Sequence, residues 1–331
     1  MAATNVAERR QTDYPEPAKA HDAFSVYKIH DHGFVRLVDA MPSPTDAEAP
    51  TADAAIVQAA RVSYGSGTKT VREDAGLIDY LMRHRHTTPF EMVELKFHAR
   101  MPMFVARQWI RHRTANVNEY SARYSVVKDC YYVPDVDICQ GQSNTNKQGS
   151  EGQIASPEVA RRLIMEMSDE AFHRYCILLQ QKDYETTDKR FGDDLAHMGL
   201  SRELARMVLP LNYYTEWYWK VDLHNLFHFL SLRADSHAQY EIRAYADAML
   251  EITEKIAPAA TASFRNHRMN GMHLSGDEVD FLKSFVDVLQ PDNESSSGLS
   301  NLLDQAEMSK GRKRELVSKL RRIVGDFDYQ P

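Results

Sequence analysis

Residues 93–113, VELKFHARMPMFVARQWIRHR, indicate a strand followed directly by a helix. The first nine residues alternate apolar and polar side chains, which is the period of a strand with one buried face. Pro102 then stands where a helix can begin, because the first helical turn needs no N–H donor there. We expect MFVARQWIRHR to be that helix, with Arg107, Gln108 and Arg111 on one face.

Outward from this stretch, strands and helices are mixed without regular βαβ alternation. This favours an α+β fold, a mixed sheet with packed helices, and no Rossmann domain. We expect extended chain at 33–41, 121–134 and 213–221, and helices at 52–65, 73–85, 157–182, 201–209, 222–252 with a break at 234–236, and 310–323.

The ends of the chain and one internal segment are polar. Residues 1–22 are predicted to be a disordered lead-in, and 140–156 a mobile low-complexity loop. Residues 264–331 are predicted to be a helical extension of unknown role.

The overall composition is that of an ordinary globular protein. The 331 residues are 43% hydrophobic and 26% charged, with a formal net charge of -7. A general nucleic-acid-binding protein usually carries a basic excess, so this balance argues against that class, although a local basic patch is still possible.

The cysteines and the apolar segments indicate a cytoplasmic setting. Cys130, Cys139 and Cys176 are an odd set without CxxC spacing, which argues against a disulfide framework and a thiolate zinc site. The first twenty residues contain no apolar run of the signal-peptide kind, and no uninterrupted apolar stretch is long enough to span a membrane.

Arginines are concentrated in residues 107–123, where Glu119 is the only carboxylate. A guanidinium group matches phosphate or carboxylate with two parallel hydrogen bonds. The segment could be a solvated helix face, but Phe104, Trp109 and other apolar residues interleave with the charges. An enclosed charge needs a partner, and a bound phosphate compound would supply one.

Other chemistries have weaker signals. GxGxxG, GxxxxGK[ST] and GxSxG are all missing. His224 and His228 have metal-ligand spacing, and Asp235 and His237 could complete a site, but Asn225 stands where HExxH has glutamate. Packing is the simpler role for these histidines.

A serine nucleophile is a further alternative. His112 could serve as a base for Ser121, but no elbow motif surrounds the pair. The free cysteines are best interpreted as small buried hydrophobic residues.

The spacing of Arg111-His112-Arg113, seven residues and then Ser121 resembles the signature of the flavin-dependent thymidylate synthases. Five other segments agree with that family in the same order: GFVRLVD (33–39), AARVSYG (59–65), HTTPFE (86–91), MVLPLN (207–212) and LRADSHAQYEI (232–242). The resemblance covers roughly residues 30–260, so residues 23–263 are expected to form the catalytic domain.

The resemblance implies a reaction and an assembly. Family members methylate dUMP to dTMP, with 5,10-methylenetetrahydrofolate as carbon donor, NADPH as reductant and FAD as hydride relay. They are homotetramers whose active sites are shared between subunits. dUMP is then the expected substrate, with no nucleic-acid or membrane partner.

The resemblance also assigns residues by matched position. Contacts to FAD are expected from Ser63, Thr88, Arg111, His112, Arg113, Glu119, Asp222, Leu223, His224 and His228. Contacts to dUMP are expected from Gln108, Trp109, Ile110, Arg111, Glu119, Tyr120, Ser121, Ala122, Arg123, Arg206 and Arg233. Arg233 resembles the residue that favours ionisation of uracil N3, which makes it the catalytic candidate, and His86 resembles a histidine near the folate and flavin rings.

Several of these assignments have alternatives. Many relatives carry asparagine in place of Asp222, and a carboxylate cannot donate a hydrogen bond, so helix capping is an equal role for Asp222. Glu119 could pair with a neighbouring arginine, Arg206 could form a helix-end salt bridge, and His228 could simply pack. The competing class of function is a nucleic-acid-binding module that uses residues 107–123, and its affinity would fall steeply with salt.

Overall fold

The computed structural model describes residues 13–62, 71–144, 147, 149–182, 184, 199–280, 304–305 and 310–324. The chain divides into two compact units, Met1–Asn270 and Gly271–Pro331. No helix among the described residues has the length and apolar character needed to cross a lipid bilayer.

An antiparallel sheet forms the centre of the first unit. The strands, in chain order, are β1 (Val26–Ile29), β2 (Gly33–Met41), β3 (Glu94–Pro102), β4 (Asn116–Glu119), β5 (Gln140–Gln142), β6 (Ser150–Gln153) and β7 (Tyr214–Asp222). Five of them pair in the order β1-β2-β3-β7-β4, and β5 and β6 form a separate hairpin. The α+β class is confirmed, and every pairing between described strands is antiparallel.

Helices follow and cover these strands. Those of the first unit are α1 (Ala52–Arg61), α2 (Val71–Arg83), α3 (Thr88–Glu91), α4 (Met103–Trp109), α5 (Pro157–Leu178), α6 (Arg202–Ala205), α7 (Leu223–Arg233), α8 (Tyr240–Ile256) and α9 (Pro258–Phe264). Short 3-10 turns lie at Asp22–Phe24, Val136–Ile138 and Arg206–Val208, and a π-helical turn at Arg265–Met269. The second unit contains α10 (Lys310–Val324). The predicted helices at 73–85, 157–182 and 310–323, and the break at 234–236, are confirmed within a few residues.

The core lies between the sheet and the helices α4, α7 and α8. Trp217 and Trp219 of β7 point to one face and surround Trp109, whose ring centre lies 5.4 Å from each of theirs. Phe229 of α7 stacks on Trp109 at 5.1 Å. Trp109 is fully buried, so its side chain packs in the core and only its backbone remains for the predicted dUMP contact.

The helix after Pro102 is shorter than predicted. It ends at Trp109, and the chain then turns, with His112 N–H bonded to the Trp109 carbonyl at 3.0 Å. Arg111 therefore does not share a helix face with Arg107, and that expectation was wrong. Burial of Trp109 fixes the end of the helix, because the following residues must leave the core to reach β4.

Three other predicted regions also differ from the structure. Residues 121–134 are not a strand: Tyr124 and Ser125 N–H groups bond back to the Ser121 carbonyl, and only an isolated bridge pairs Tyr131 with Tyr213. The pairing strand is instead β4, which the prediction missed. Within 140–156, the β5–β6 hairpin stands where a loop was expected, and the predicted helix 201–209 splits into α6 and a 3-10 turn.

One predicted polar position of β3 is buried. His98 is only 8% exposed, and its ring stacks on Tyr218. Its Nε2 lies 2.6 Å from Glu216 Oε1, and Arg100 Nε donates to Glu216 Oε2 at 3.0 Å. Burial raises the pKa of Glu216, but the bonds from His98 and Arg100 outweigh it and lower the pKa to about 2. The Glu216 carboxylate therefore serves as hydrogen-bond partner for both the buried His98 ring and Arg100.

The first compact unit runs past the predicted domain boundary at residue 263. The turn Arg265–Met269 continues α9 and belongs to this unit, which ends at Asn270. Assignment of residues 264–331 to a separate extension remains a prediction.

Candidate active site

The first component of the site is a cavity of about 370 Å³ that we name the arginine cavity. Three elements form it: the turn after α4, the inner face of β7, and α7. The lining residues are Arg111, His112, Arg113, Thr114, Trp219, Val221, Asn225, His228, Leu232 and Arg233. The fold therefore brings Arg233 to the Arg111–Arg113 cluster from far along the chain.

A hydrogen bond between His112 and Arg233 orders this cavity. Arg233 Nε donates to His112 Nε2 at 3.1 Å. Burial, with Arg233 and His228 beside it, lowers the pKa of His112 to about 4. His112 is therefore neutral at pH 7 and accepts through Nε2. The Nη donors of Arg233 make no hydrogen bond to any described residue, so they remain for a ligand.

Helix α7 begins at Asp222, which has the capping role. Asp222 Oδ1 accepts from the Asn225 N–H at 2.9 Å, and Oδ2 accepts from Asn225 Nδ2 at 2.7 Å. This is the N-cap geometry in which a carboxylate satisfies an unpaired donor of the first turn. The cap also fixes the Asn225 side chain in the wall of the arginine cavity.

The second component is a cavity of about 310 Å³ on the other side of α7, which we name the aromatic cavity. His228 lines both cavities, and its ring centre lies 5.8 Å from that of His112. The lining residues are Leu81, Met82, Arg85, His86, Thr87, Phe90, His224, Phe227, His228, Ser231, Phe264 and Arg268.

The end of α2 positions His86 in this aromatic cavity. The His86 N–H bonds to the Leu81 carbonyl at 2.9 Å, and the Arg85 N–H to the Met82 carbonyl at 3.2 Å. This is the Schellman pattern, in which the residue after the cap adopts a left-handed conformation. Arg85 occupies that position with a φ of 60°.

A third group of polar residues lies around residues 119–124, and we name it the Ser121 turn. Glu119 Oε1 accepts from Thr215 Oγ1 at 2.6 Å. Arg123 pairs with Glu203 at 3.2 Å, and Arg206 Nε donates to the Glu203 carbonyl at 3.3 Å. Among the described residues, Glu119 thus bonds to Thr215 rather than to Arg111 or Arg113. Arg206 contacts a backbone carbonyl of α6.

Metal chemistry has no cluster to support it in the described part of the chain. No group of three or more His, Cys, Asp or Glu side chains there could hold a metal ion. His224 and His228 instead line the aromatic cavity.

Comparison with known proteins shows the family. A family model described as "Thymidylate synthase complementing protein" matches residues 37–259. The flavin-dependent thymidylate synthase of Rickettsia bellii (strain RML369-C) is 48% identical over 270 residues, covering 82% of this chain and 88% of that protein. This chain belongs to the flavin-dependent thymidylate synthase family.

Further relatives agree with this membership. The flavin-dependent thymidylate synthase of Gluconobacter oxydans (strain 621H) is 51% identical over 252 residues, covering 76% of each chain. Among solved structures, the UMP/dUMP methylase PolB from Streptomyces cacaoi, bound with 5-Br dUMP, matches with a TM-score of 0.59 and 30% identity. That match covers 73% of this chain and 98% of the other.

Most of the site residues that the resemblance to flavin-dependent thymidylate synthases predicted lie in one of three places: the arginine cavity, the aromatic cavity or the Ser121 turn. The arginine cavity gathers Arg111, His112, Arg113, His228 and Arg233, and the aromatic cavity gathers His86, His224 and His228. The Ser121 turn holds Glu119, Tyr120, Ser121, Ala122 and Arg123 with Arg206 nearby, and none of these six lines either cavity.

The remaining predicted residues have separate positions. Gln108 Nε2 donates to Gln239 Oε1 at 2.5 Å, and Ile110 is 45% exposed. Thr88 opens α3 beside the cavity-lining Thr87, Leu223 is fully buried, and Ser63 lies outside the described residues.

Sequence reasoning missed Thr114, Asn225, Arg85 and Arg268 as cavity-lining residues. Two signals were present. Arg85 belongs to the basic run MRHR immediately before HTTPFE, and Arg268 to the run FRNHRM, which contains no carboxylate. Both runs fall at helix ends, where the sequence does not show which way a side chain faces.

The shifted pKa of His112 predicts a pH dependence of stability. The unfolded chain takes up a proton near the ordinary pKa of 6.5, whereas the folded protein resists protonation until about 4. The unfolded state therefore binds more protons in this window, and stability falls as pH falls from about 6.5 to about 4. Because His112 is only half-buried, we expect this group to contribute on the order of 1 kcal/mol.

The measurement is urea unfolding at pH 7, 6, 5 and 4, on the wild type and on His112→Gln. Glutamine keeps an acceptor for Arg233 but does not titrate. The free energy of unfolding of His112→Gln should therefore fall less between pH 7 and pH 4 than that of the wild type. If the unfolding free energies of the two proteins fall in parallel with pH, protonation of His112 does not contribute to the pH dependence of stability.

Proposed function

We propose that this chain is a flavin-dependent thymidylate synthase that converts dUMP to dTMP. The carbon would come from 5,10-methylenetetrahydrofolate and the two reducing electrons from NADPH. The observation that carries the proposal is the arginine cavity: two arginines of one turn, a neutral histidine and Arg233 converge in a chain 48% identical to proteins of that name.

The residues present suit FAD and a nucleotide monophosphate. Guanidinium groups of Arg111 and Arg113, with the Thr114 hydroxyl, are donors of the kind that hold phosphate oxygens. His224 and His228 on α7 would approach the flavin from the aromatic cavity. When bound, FAD supplies hydride transfer between NADPH and the pyrimidine.

The protein itself would contribute to the reaction a positive charge beside the pyrimidine and the fixed orientation of that charge. Arg233 would lie beside uracil N3, where a fixed cation favours the N3 anion and makes the ring electron-rich. The neutral Nε2 of His112 holds the guanidinium through Nε and leaves the Nη donors for the nucleotide. In this scheme neither Ser121 nor Cys130 has to act as a nucleophile. Burial raises the pKa of the Cys130 thiol to about 12, which keeps it protonated.

The Ser121 turn supports a shared site. Glu119, Tyr120 and Arg123 are exposed, Arg123 by 54%, and Ser121 is half-buried. All four lie outside the two cavities of their own chain. In a homotetramer this turn would complete the dUMP site of a neighbouring subunit. Mass measurement by light scattering tests the assembly, and a monomer at assay concentrations would contradict it.

The compartment we propose is the cytoplasm. The cysteines Cys130, Cys139 and Cys176 are all free, as a reducing environment requires.

The activity itself is tested by product analysis. Protein supplied with dUMP, methylenetetrahydrofolate, NADPH and FAD should form dTMP, identified by mass spectrometry, and omission of any one component should stop it. The matches above are all named as enzymes, so the nucleic-acid-binding alternative receives no support. Absence of dTMP from flavin-loaded protein would contradict the proposal.

A further inference from the structure

Arg268 is a partly buried guanidinium to which no described residue supplies a counter-charge. It lies on the π-helical turn Arg265–Met269, beyond the residues that the family model matches, and it lines the aromatic cavity. It makes no hydrogen bond or ion pair with any described residue. Burial lowers the pKa of Arg268, and the nearby charge of Arg85 lowers it further. An anion bound between Arg85 and Arg268 would offset the repulsion of these two like charges.

The neighbours of Arg268 hold its turn in place. Arg265 pairs with Glu254 at 3.1 Å, and His267 Nε2 lies 2.7 Å from Asp79 Oδ1. These two contacts anchor the turn to α8 and α2, so the backbone that carries Arg268 is fixed beside the cavity. A π-helical turn is rare and is frequently found at functional sites.

Arg85 approaches the same cavity from an unusual backbone position. Its φ is 60°, in the left-handed region that favours glycine, and glycine is the usual residue at this place after a helix. A side chain kept where glycine would be less strained indicates a role for that side chain. Arg85 and Arg268 thus reach one cavity from two separately fixed turns.

The remaining wall of the cavity suits a flat ring. Phe227 and Phe264 stack with ring centres 4.4 Å apart, and Phe90 meets Phe227 edge-on at 6.4 Å. His86, which the family resemblance places near folate, lines the same space. A volume of about 310 Å³ accommodates a ring and the start of a tail rather than a whole dinucleotide.

We propose that Arg85 and Arg268 form an anion subsite for the carboxylates of the glutamate tail of the folate co-substrate. This inference rests on the proposed function. A pyrophosphate is the other anion that two arginines could hold, but the arginine cavity already offers Arg111 and Arg113 for phosphates. The structure therefore favours the carboxylates.

The test is equilibrium binding of tetrahydrofolate monoglutamate and triglutamate to the FAD-loaded protein with dUMP, by calorimetry. Wild type should bind the triglutamate about tenfold more tightly, as expected for a charge-assisted hydrogen bond. High salt should reduce this preference. Arg268→Met should bring the ratio of the triglutamate affinity to the monoglutamate affinity close to one and leave the affinity for FAD unchanged. Arg85→Gly should do the same, and glycine suits the left-handed backbone, so this variant should fold.

The matched control is Arg162→Met, which removes an exposed cation of α5 that lines neither cavity and should keep the triglutamate preference. An equal affinity of wild type for the two folates, or a preference that survives both cavity variants, would overturn the subsite. Weaker FAD binding with an unchanged folate ratio would assign the arginines to pyrophosphate, which also overturns it. Wild type that binds neither FAD nor monoglutamate would refute the proposed function, and the subsite with it.

Discussion

Arg233→Met should abolish thymidylate formation while the protein still binds FAD. We expect kcat/KM to fall by about 10³-fold, the upper range for loss of one preorganised donor at a site of developing charge. The guanidinium is partly buried, burial lowers its pKa, and His112 fixes its orientation. Methionine preserves much of the length of the side chain, so the cavity should keep its shape. The measurements are the rate of dTMP formation and the FAD content of the purified variant.

Two further variants make this test specific. Arg233→Lys keeps the charge but not the planar fork, so partial activity is expected. Arg107→Met removes an arginine that is exposed on α4 and lines neither cavity, and it should leave turnover near the wild-type value. Retained turnover in Arg233→Met would remove this residue from the mechanism.

Gly33→Ala should be the most destabilising small substitution in the sheet. Gly33 begins β2, and an added Cβ would overlap Tyr245 Oη and lie 2.7 Å from the Ile29 carbonyl oxygen. Tyr245 is fully buried and donates to the Arg100 carbonyl at 2.7 Å, so it cannot move aside cheaply. We expect the free energy of unfolding to fall by about 3 kcal/mol, as for overpacking of a tight core. Chemical denaturation measures this directly.

Gly76→Ala is the matched control. Gly76 lies on α2, and its added Cβ would meet nothing within 4 Å. Alanine loses less conformational entropy in a helix, so this variant should gain about 0.5–1 kcal/mol. The change in the free energy of unfolding should therefore have opposite signs for the two variants. Equal destabilisation would show that the steric clash at Gly33 does not cause the loss of stability.

Strands and helices whose sequence pattern lies within the element itself were predictable from the sequence. The strand predicted at 33–41 coincides with β2 (Gly33–Met41), because a short, mostly apolar run between polar segments is a local signal of a strand. The end of α4 and the strand β4 were not predictable in this way. Both depend on β7, which lies far along the chain: its tryptophans bury Trp109, and its edge pairs with Asn116–Glu119.

The same distinction holds for the site. Arg111, His112 and Arg113 are visible as a motif, and Arg233 follows from the family resemblance. The neutral state of His112 is not visible, because it arises from burial and from a hydrogen bond to α7. Arg268 lies past the matched segments, and its orientation depends on the ion pairs that anchor its neighbours.

The most direct measurement is the absorbance spectrum of the purified protein under anaerobic conditions. The proposed function predicts a yellow protein whose flavin band bleaches with NADPH and returns when methylenetetrahydrofolate and dUMP are added, with one dTMP formed for each flavin reoxidised. Colourless protein that cannot be reconstituted with FAD, or a bleached band that returns without dTMP, would contradict it.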